Sequence, residues 1–238
     1  MSVIYLFRHG QAGTRNDYDK LSALGHEQAR LLGEYLAGQG IAFSAAVSGG
    51  MRRQRETAQH TVDAFARAGA AFPEVTQDLR WNEFSLSRVY REIGPLLAKD
   101  DPEFARGYAE MMAAYTDLDA PFHRLSTTLD ATVVRAWIEE RYEYGGESWK
   151  AFKARVTAAL TDLRERTREG PVAVFTSATP TGISLGEALG LEETHRARLA
   201  GVAYNSSISA LRVRGDALLL FQFNGVPHLP DQAMRSFR

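Results

Sequence analysis

Apolar and polar positions follow two periods along this chain, and the changes between them mark out the elements. Near the start "VIYLF" is an unbroken apolar run, the pattern of a strand covered on both faces, and it stops abruptly at Arg8, His9 and Gly10. After Ser22, a good helix cap, Leu24, Gln28, Leu31, Leu32, Tyr35 and Leu36 recur at helical spacing until Gly38 and Gly40. "FSAAVS" (43–48) predicts a short strand, and residues 51–69 predict a helix that a glycine ends. Residues 74–84 read as an edge strand followed by a loop. Between about 85 and 146 strand patterning fades and helical patterning takes over, which predicts a helical cap insertion within a single domain spanning 1–238. Trp149, Phe152, Val156, Leu160 and Leu163 form one stripe of a further helix. "PVAVFT" (171–176) is another compact apolar strand, "GISLGEALGL" a helix, and "SISALRV" with "ALLLFQF" a closing hairpin turned at 214–216.

Strands that alternate with helices predict an α/β fold, a three-layer sandwich with a mostly parallel central sheet. Such sheets gather ligands at the carboxyl ends of their strands. Composition narrows the setting. With 238 residues and 45% hydrophobic content the chain builds a real core, and without cysteine it has neither disulfides nor thiolate metal ligands. A net charge of −1 gives no field for gathering nucleic acid or an anionic membrane. The first residues lack a basic stretch ahead of a long apolar one, so a cytoplasmic location is expected.

The strand ends carry the chemistry. Arg8 and His9 follow the first strand, "SGGMRRQRETA" (48–58) the second, Glu83 the third, and "TSATPTG" the fourth, where it opens a helix whose amides favour an anion. Arginine forks suit a tetrahedral dianion, a neutral imidazole can attack phosphorus, and a carboxyl group can exchange a proton with the leaving oxygen. Phosphoryl transfer depends mainly on positioning and charge stabilisation, so no cofactor is needed and no metal-ligand spacing stands out. Of the clustered arginines, Arg52 and Arg55 read as solvated and Arg53 as inward-facing.

A competing motif lies in "TGISLG". Gly182, Ser184 and Gly186 fit the G-x-S-x-G elbow of a serine hydrolase, with Asp216 and His228 following in triad order. The elbow needs its serine on the turn directly after a strand, and Pro180 and Thr181 intervene.

The segments "LFRHGQAG", "LSALGHEQARLLGEYL", "SGGMRRQRETA", "LRWNEF", "GESWKAFKARV", "VAVFTSATPTG" and "FNGVPHL" together resemble the histidine phosphatase (phosphoglycerate mutase-like) superfamily, in its order and over nearly the whole chain. The resemblance implies a phosphoryl-accepting His9, phosphate-binding Arg8 and Arg53, and Glu83 as general acid. It departs at one place: Ser177 stands where the superfamily usually has a second histidine, with Ala178 and Thr179 where glycines follow it. Ser177 and the amide of Ala178 are expected to help hold phosphate, and Asn16 to touch substrate. His123 is a weaker candidate for the missing imidazole. The expected reaction is hydrolysis of a small phosphorylated substrate or phosphoprotein through a phosphohistidine. The alternative is a phospho-ligand-binding protein with little turnover. The pattern leaves room for a dimer.

Overall fold

The computed structural model describes residues 2–14, 17–114 and 127–237. Asn16 and His123 lie outside the described residues. The elements run β1 (Val3–Arg8), α1 (Ala23–Gly38), β2 (Ala45–Ser48), α2 (Arg52–Arg67), β3 (Val75–Gln77), α3 (Leu86–Asp100), α4 (Pro102–Ala114), α5 (Thr127–Ile138), α6 (Trp149–Arg166), β4 (Val172–Thr176), α7 (Ala178–Leu189), α8 (Glu193–Gly201), β5 (Ile208–Arg214) and β6 (Ala217–Gly225). The strands form one mixed sheet in the order β3-β2-β4-β1-β5-β6. The β1–β4, β2–β4 and β2–β3 pairs are parallel, and β5 joins β1 and β6 by antiparallel pairing. This is the α/β architecture that the alternation of strand and helix predicted.

Chain pattern explains strand position. Every residue of "VAVFT" in β4 is buried, because β4 sits between β1 and β2 and is covered above and below. On one face Phe7, Ala173, Phe175, Ala46 and Ile208 meet Leu32 and Leu36 of α1 and Ala58 and Phe65 of α2. Phe7 and Phe175 approach to 5.2 Å between ring centroids, with Phe43, Phe65 and Phe72 closing the cluster. Fully burying each such side chain contributes about 1.5–3 kcal/mol, several times any helix-propensity difference, so packing holds α1 and α2 in place. On the opposite face Ile4, Leu6, Val172 and Val174 are buried as well, and α7 lies against β1, β5 and β6.

Two compact units emerge from the contacts, one made of Met1–Gly13, Asp17–Glu83 and Arg155–Arg238, the other chiefly of Phe84–Ala154. Within the second, α3 packs on α4 and α5, and Trp137 stacks on Phe84 at 4.5 Å and meets Trp149 edge-on at 5.4 Å. Helix α8 was not anticipated by patterning. It is short and polar, and only Arg196 is buried, so it carries no apolar stripe to read.

The G-x-S-x-G reading is overturned. Ser184 lies in the middle of α7, is fully buried, and donates its hydroxyl to the Pro180 carbonyl at 2.8 Å. Its flanking glycines serve packing: a Cβ on Gly182 would lie 2.4 Å from the Arg196 carbonyl oxygen, and one on Gly186 would lie 2.4 Å from Arg196 Cγ, so both let α8 approach α7. Asp216 is fully exposed near Arg164, and His228 pairs with Ser206, so no triad assembles.

Candidate active site

The parallel register brings the tips of β1 and β4 side by side, with Arg8 opposite Thr176 and the His9 amide donating to the Thr176 carbonyl at 2.9 Å. His9 and Ser177 are therefore the next residues out at adjacent strand ends. Arg8 is buried, and its Nη1 donates to the Ala203 carbonyl. The turn after His9 is tight because the chain runs against α1: a Cβ on Gly10 would lie 2.3 Å from the Gly25 carbonyl oxygen, and one on Gly25 would lie 2.0 Å from that of Gln11. Only glycine fits on either side of that approach. The Gly10 amide donates to Thr57 Oγ1 at 3.1 Å, which ties the turn to α2.

His9 is 3% exposed and fixed through both ring nitrogens. Nδ1 lies 2.7 Å from the Gly10 carbonyl, which can only accept, so Nδ1 carries the proton. Nε2 then accepts from Arg53 Nε at 3.0 Å. Burial first, then the Arg53 and Arg8 guanidiniums, push His9 well below the ordinary histidine range, although the Gly10 carbonyl pulls the other way. A neutral imidazole with its lone pair at Nε2 results.

Arg53 is reached from the first turn of α2. It is 4% exposed, whereas Arg52 and Arg55 face solvent, as their spacing predicted. Its Nη1 donates to Asp19 at 2.7 Å, and its Cζ lies 5.2 Å from the Tyr18 ring centroid. Asp19 also accepts from the Arg52 amide at 3.0 Å, so one exposed carboxylate braces the start of the helix.

Glu83 arrives on the loop after β3, and its Oε2 accepts from the Thr179 amide at 3.0 Å, at the N-terminus of α7. Arg155 holds that loop by donating to the Arg80 and Asn82 carbonyls at 2.7 and 2.9 Å. Ser177, the residue before α7, is fully buried and makes no side-chain cap. Instead its hydroxyl accepts from Gln54 Nε2 at 2.8 Å. The structure thus bonds His9 to Arg53, with the Arg8 charge acting on His9, ties Ser177 to Gln54 beside Arg53 on α2, and sets Glu83 on the N-terminus of α7, whose first residue is Ala178.

Sequence reasoning missed Gln54, Asp19, Arg155 and Asn205. Gln54 was the legible one, since with Arg53, Thr57, Ala58 and Thr61 it falls on the inward face of α2. Asn205 Nδ2 and the Ser206 amide both donate to the His9 carbonyl, at 3.4 and 3.1 Å, and nothing local in the sequence announces such a long-range contact. Among the described residues no group of three or more histidine, aspartate or glutamate side chains could hold a metal ion, and no helix is long and apolar enough to cross a membrane.

The sequence profile of the histidine phosphatase superfamily (branch 1) matches residues 4–116 and 121–224. The chain belongs to this superfamily. It is similar to the mitochondrial serine/threonine-protein phosphatase Pgam5 of Caenorhabditis elegans, 29% identical over 167 residues, 61% of this chain and 52% of that protein. The chain therefore spans about half the length of that curated relative. Among solved structures, the Bacillus stearothermophilus YhfR fold superposes with a TM-score of 0.64 at 17% identity, covering 95% of this chain and 98% of that one. Phosphoglycerate mutase from Bacillus anthracis gives 0.62 at 16%, covering 95% and 94%, and a mycobacterial glucosyl-3-phosphoglycerate phosphatase gives 0.61 at 20%, covering 94% and 99%. At these identities the structural neighbours speak for the fold of the superfamily, a mixed sheet with helices on its faces.

Proposed function

We propose that the protein is a cofactor-independent phosphomonoesterase that works through a phosphohistidine on His9. One observation carries this reading: a buried neutral imidazole is locked as the Nδ1–H tautomer and turns its Nε2 lone pair toward a guanidinium. Membership of the superfamily and the phosphatases among its relatives support the same class of reaction.

In the resting site Arg53 Nε occupies the Nε2 lone pair. A phosphoryl dianion accepts from the guanidiniums of Arg53 and Arg8, and charge-assisted bonds of this kind are about twice as strong as neutral ones, so it displaces that contact. The freed Nε2 pair attacks phosphorus, the bond to the leaving oxygen breaks, and Glu83 gives that oxygen a proton. Water then attacks the phosphohistidine, Glu83 takes its proton, and phosphate leaves as Nε2 regains its pair. Backbone amides at the start of α7, together with the Ser177 hydroxyl, hold the equatorial oxygens. The Pgam5 relative is a phosphoprotein phosphatase by name and the mycobacterial neighbour acts on a small phosphorylated sugar acid, so the substrate is a phosphomonoester of either kind.

A second reading rests on Ser177. A serine hydroxyl carries no charge where the superfamily resemblance expects a histidine, which favours a protein that binds phosphorylated ligands and turns them over weakly. Turnover of an aryl phosphate, measured beside His9→Ala and with trapping of an acid-labile phosphoenzyme, separates the two. The phosphatase reading requires turnover and a trapped phosphoenzyme, both lost in His9→Ala. Phosphate-ester binding without either outcome overturns it in favour of the binder.

A further inference from the structure

Gln54 is completely buried, and every hydrogen-bonding atom of its amide is committed. Oε1 accepts from the Met51 amide at 3.2 Å, while Nε2 donates to the Trp81 carbonyl at 3.0 Å and to Ser177 Oγ at 2.8 Å. The orientation of this amide is determined by its partners. A main-chain N–H can only donate and a main-chain carbonyl can only accept, so turning the amide over would break two bonds and bring like atoms together. Nε2 is thus a donor to Ser177, and Ser177 Oγ is an acceptor there.

A hydroxyl that accepts at one lone pair still has its own proton to give. The Gln54 contact fixes the direction it is given in, because the proton turns away from the incoming N–H. The hydroxyl does not cap α7. Ser177 follows Thr176, whose carbonyl accepts from the His9 amide, so the residue stands at the strand end adjoining the one that carries His9. Accepting from an amide also polarises the O–H and strengthens it as a donor.

We infer that Gln54 is a positioning residue for phosphoryl transfer: it holds Ser177 as a one-way donor, so that the two residues together supply the hydrogen bond given to the phosphoryl oxygens. This inference rests on the phosphomonoesterase reading and names part of the machinery of the same site. Gln54 itself touches no substrate and acts only through the serine.

The test is a double-mutant cycle in the full chain. Gln54→Glu keeps the shape and turns Nε2 into an oxygen, which draws the Ser177 proton to itself. Gln54→Leu removes the donor. Removing one donor to a transition-state oxyanion costs about 10²–10³ in kcat in other enzymes, so Ser177→Ala and Gln54→Glu are each expected to lower kcat by about 10²-fold. KM is expected to change little. In the Ser177→Ala background, Gln54→Glu and Gln54→Leu should then change kcat by less than twofold. The affinity for vanadate, measured by titration, should follow the same non-additive pattern, which gives a readout that does not depend on turnover. A residue that merely filled space would lower kcat and vanadate affinity equally in both backgrounds, and that additive result overturns the proposal. So does an unchanged kcat and vanadate affinity in Gln54→Glu. Either failure leaves the His9 reading standing, since that reading is lost only if His9→Ala retains turnover or no phosphoenzyme forms.

Discussion

The chemistry of this site is set by which proton each polar atom can carry. The Gly10 carbonyl decides the tautomer of His9, and burial with two guanidiniums decides that the ring is neutral. Both features are testable without substrate. In nitrogen-15 spectra His9 should keep the neutral Nδ1–H signature from pH 8 down through 6.5, where an ordinary histidine is half protonated. A His9 signal that titrates near 6.5, or that shows the proton on Nε2, would remove the basis for nucleophilic attack. The sign is clear: lowering pH favours the protonated ring, and a depressed value means that the lone pair survives into mildly acidic solution. Arg8, His9, Arg53 and Glu83 were legible because each follows a strand end in a short motif. For Gln54 the helical spacing of α2 could give the inward direction, but not its bond to Ser177, 123 positions later.

Among the elements, α1 shows how a local preference loses to a tertiary contact. Gly25 and Gly38 both lie within the helix, and propensity alone says that alanine at either site stabilises by roughly 0.5–1 kcal/mol. At Gly38 nothing lies within 4 Å of an added Cβ, so Gly38→Ala should gain up to about that much. At Gly25 the added Cβ would lie 2.0 Å from the Gln11 carbonyl oxygen, and overpacking of this sort costs about 1–3 kcal/mol. Gly25→Ala should therefore lower the denaturant midpoint and, by pushing on the turn that holds His9, lower activity as well. Equal, small shifts for the two variants in urea unfolding would mean that the Gly10–Gly25 approach is not tight. The same contrast explains what patterning could read. Apart from Arg8 and Thr176 at the strand tips, β1, β4 and the stripe on α6 are apolar at the positions that the fold buries, and they were visible. β3 was read as an edge strand although it is only three residues long and largely exposed, whereas α8 buries one arginine and leaves no stripe to read. The role of the glycines in "TGISLG" needed the position of Arg196, which no local window contains.

Across the molecule, the loop carrying His9 is anchored to the C-terminal segment, and that anchor includes a buried histidine. Ser206 adopts a left-handed backbone conformation with φ of 56°, unusual for a residue with a side chain, and is held there by its amide on the His9 carbonyl and its hydroxyl on His228 Nε2 at 2.8 Å. Asn205 links the same turn onward to Ser236, which also takes a bond from Gln28. Among the described residues His228 Nδ1 is buried with no hydrogen-bond partner, so a proton added there would place a charge that none of them accepts, and burial lowers the group to about 4. The consequence for stability follows from linkage. Above pH 6.5 both folded and unfolded chains carry a neutral His228 and the residue makes no pH-dependent contribution. As pH falls below 6.5 the unfolded chain takes up a proton that the folded chain refuses until about pH 4, so stability falls across that window. At about 1.36 kcal/mol per unit the loss comes to roughly 3 kcal/mol, a large share of the 5–15 kcal/mol that holds a typical domain. His228→Gln can keep a hydrogen bond to Ser206 without titrating. Guanidinium unfolding of both proteins at intervals from pH 7 to 4.5 should show the variant losing less stability, with the difference opening below pH 6.5, while contributions common to both, His9 included, cancel. Parallel curves would mean that His228 titrates as an ordinary histidine and that acid reaches the His9 loop by another route.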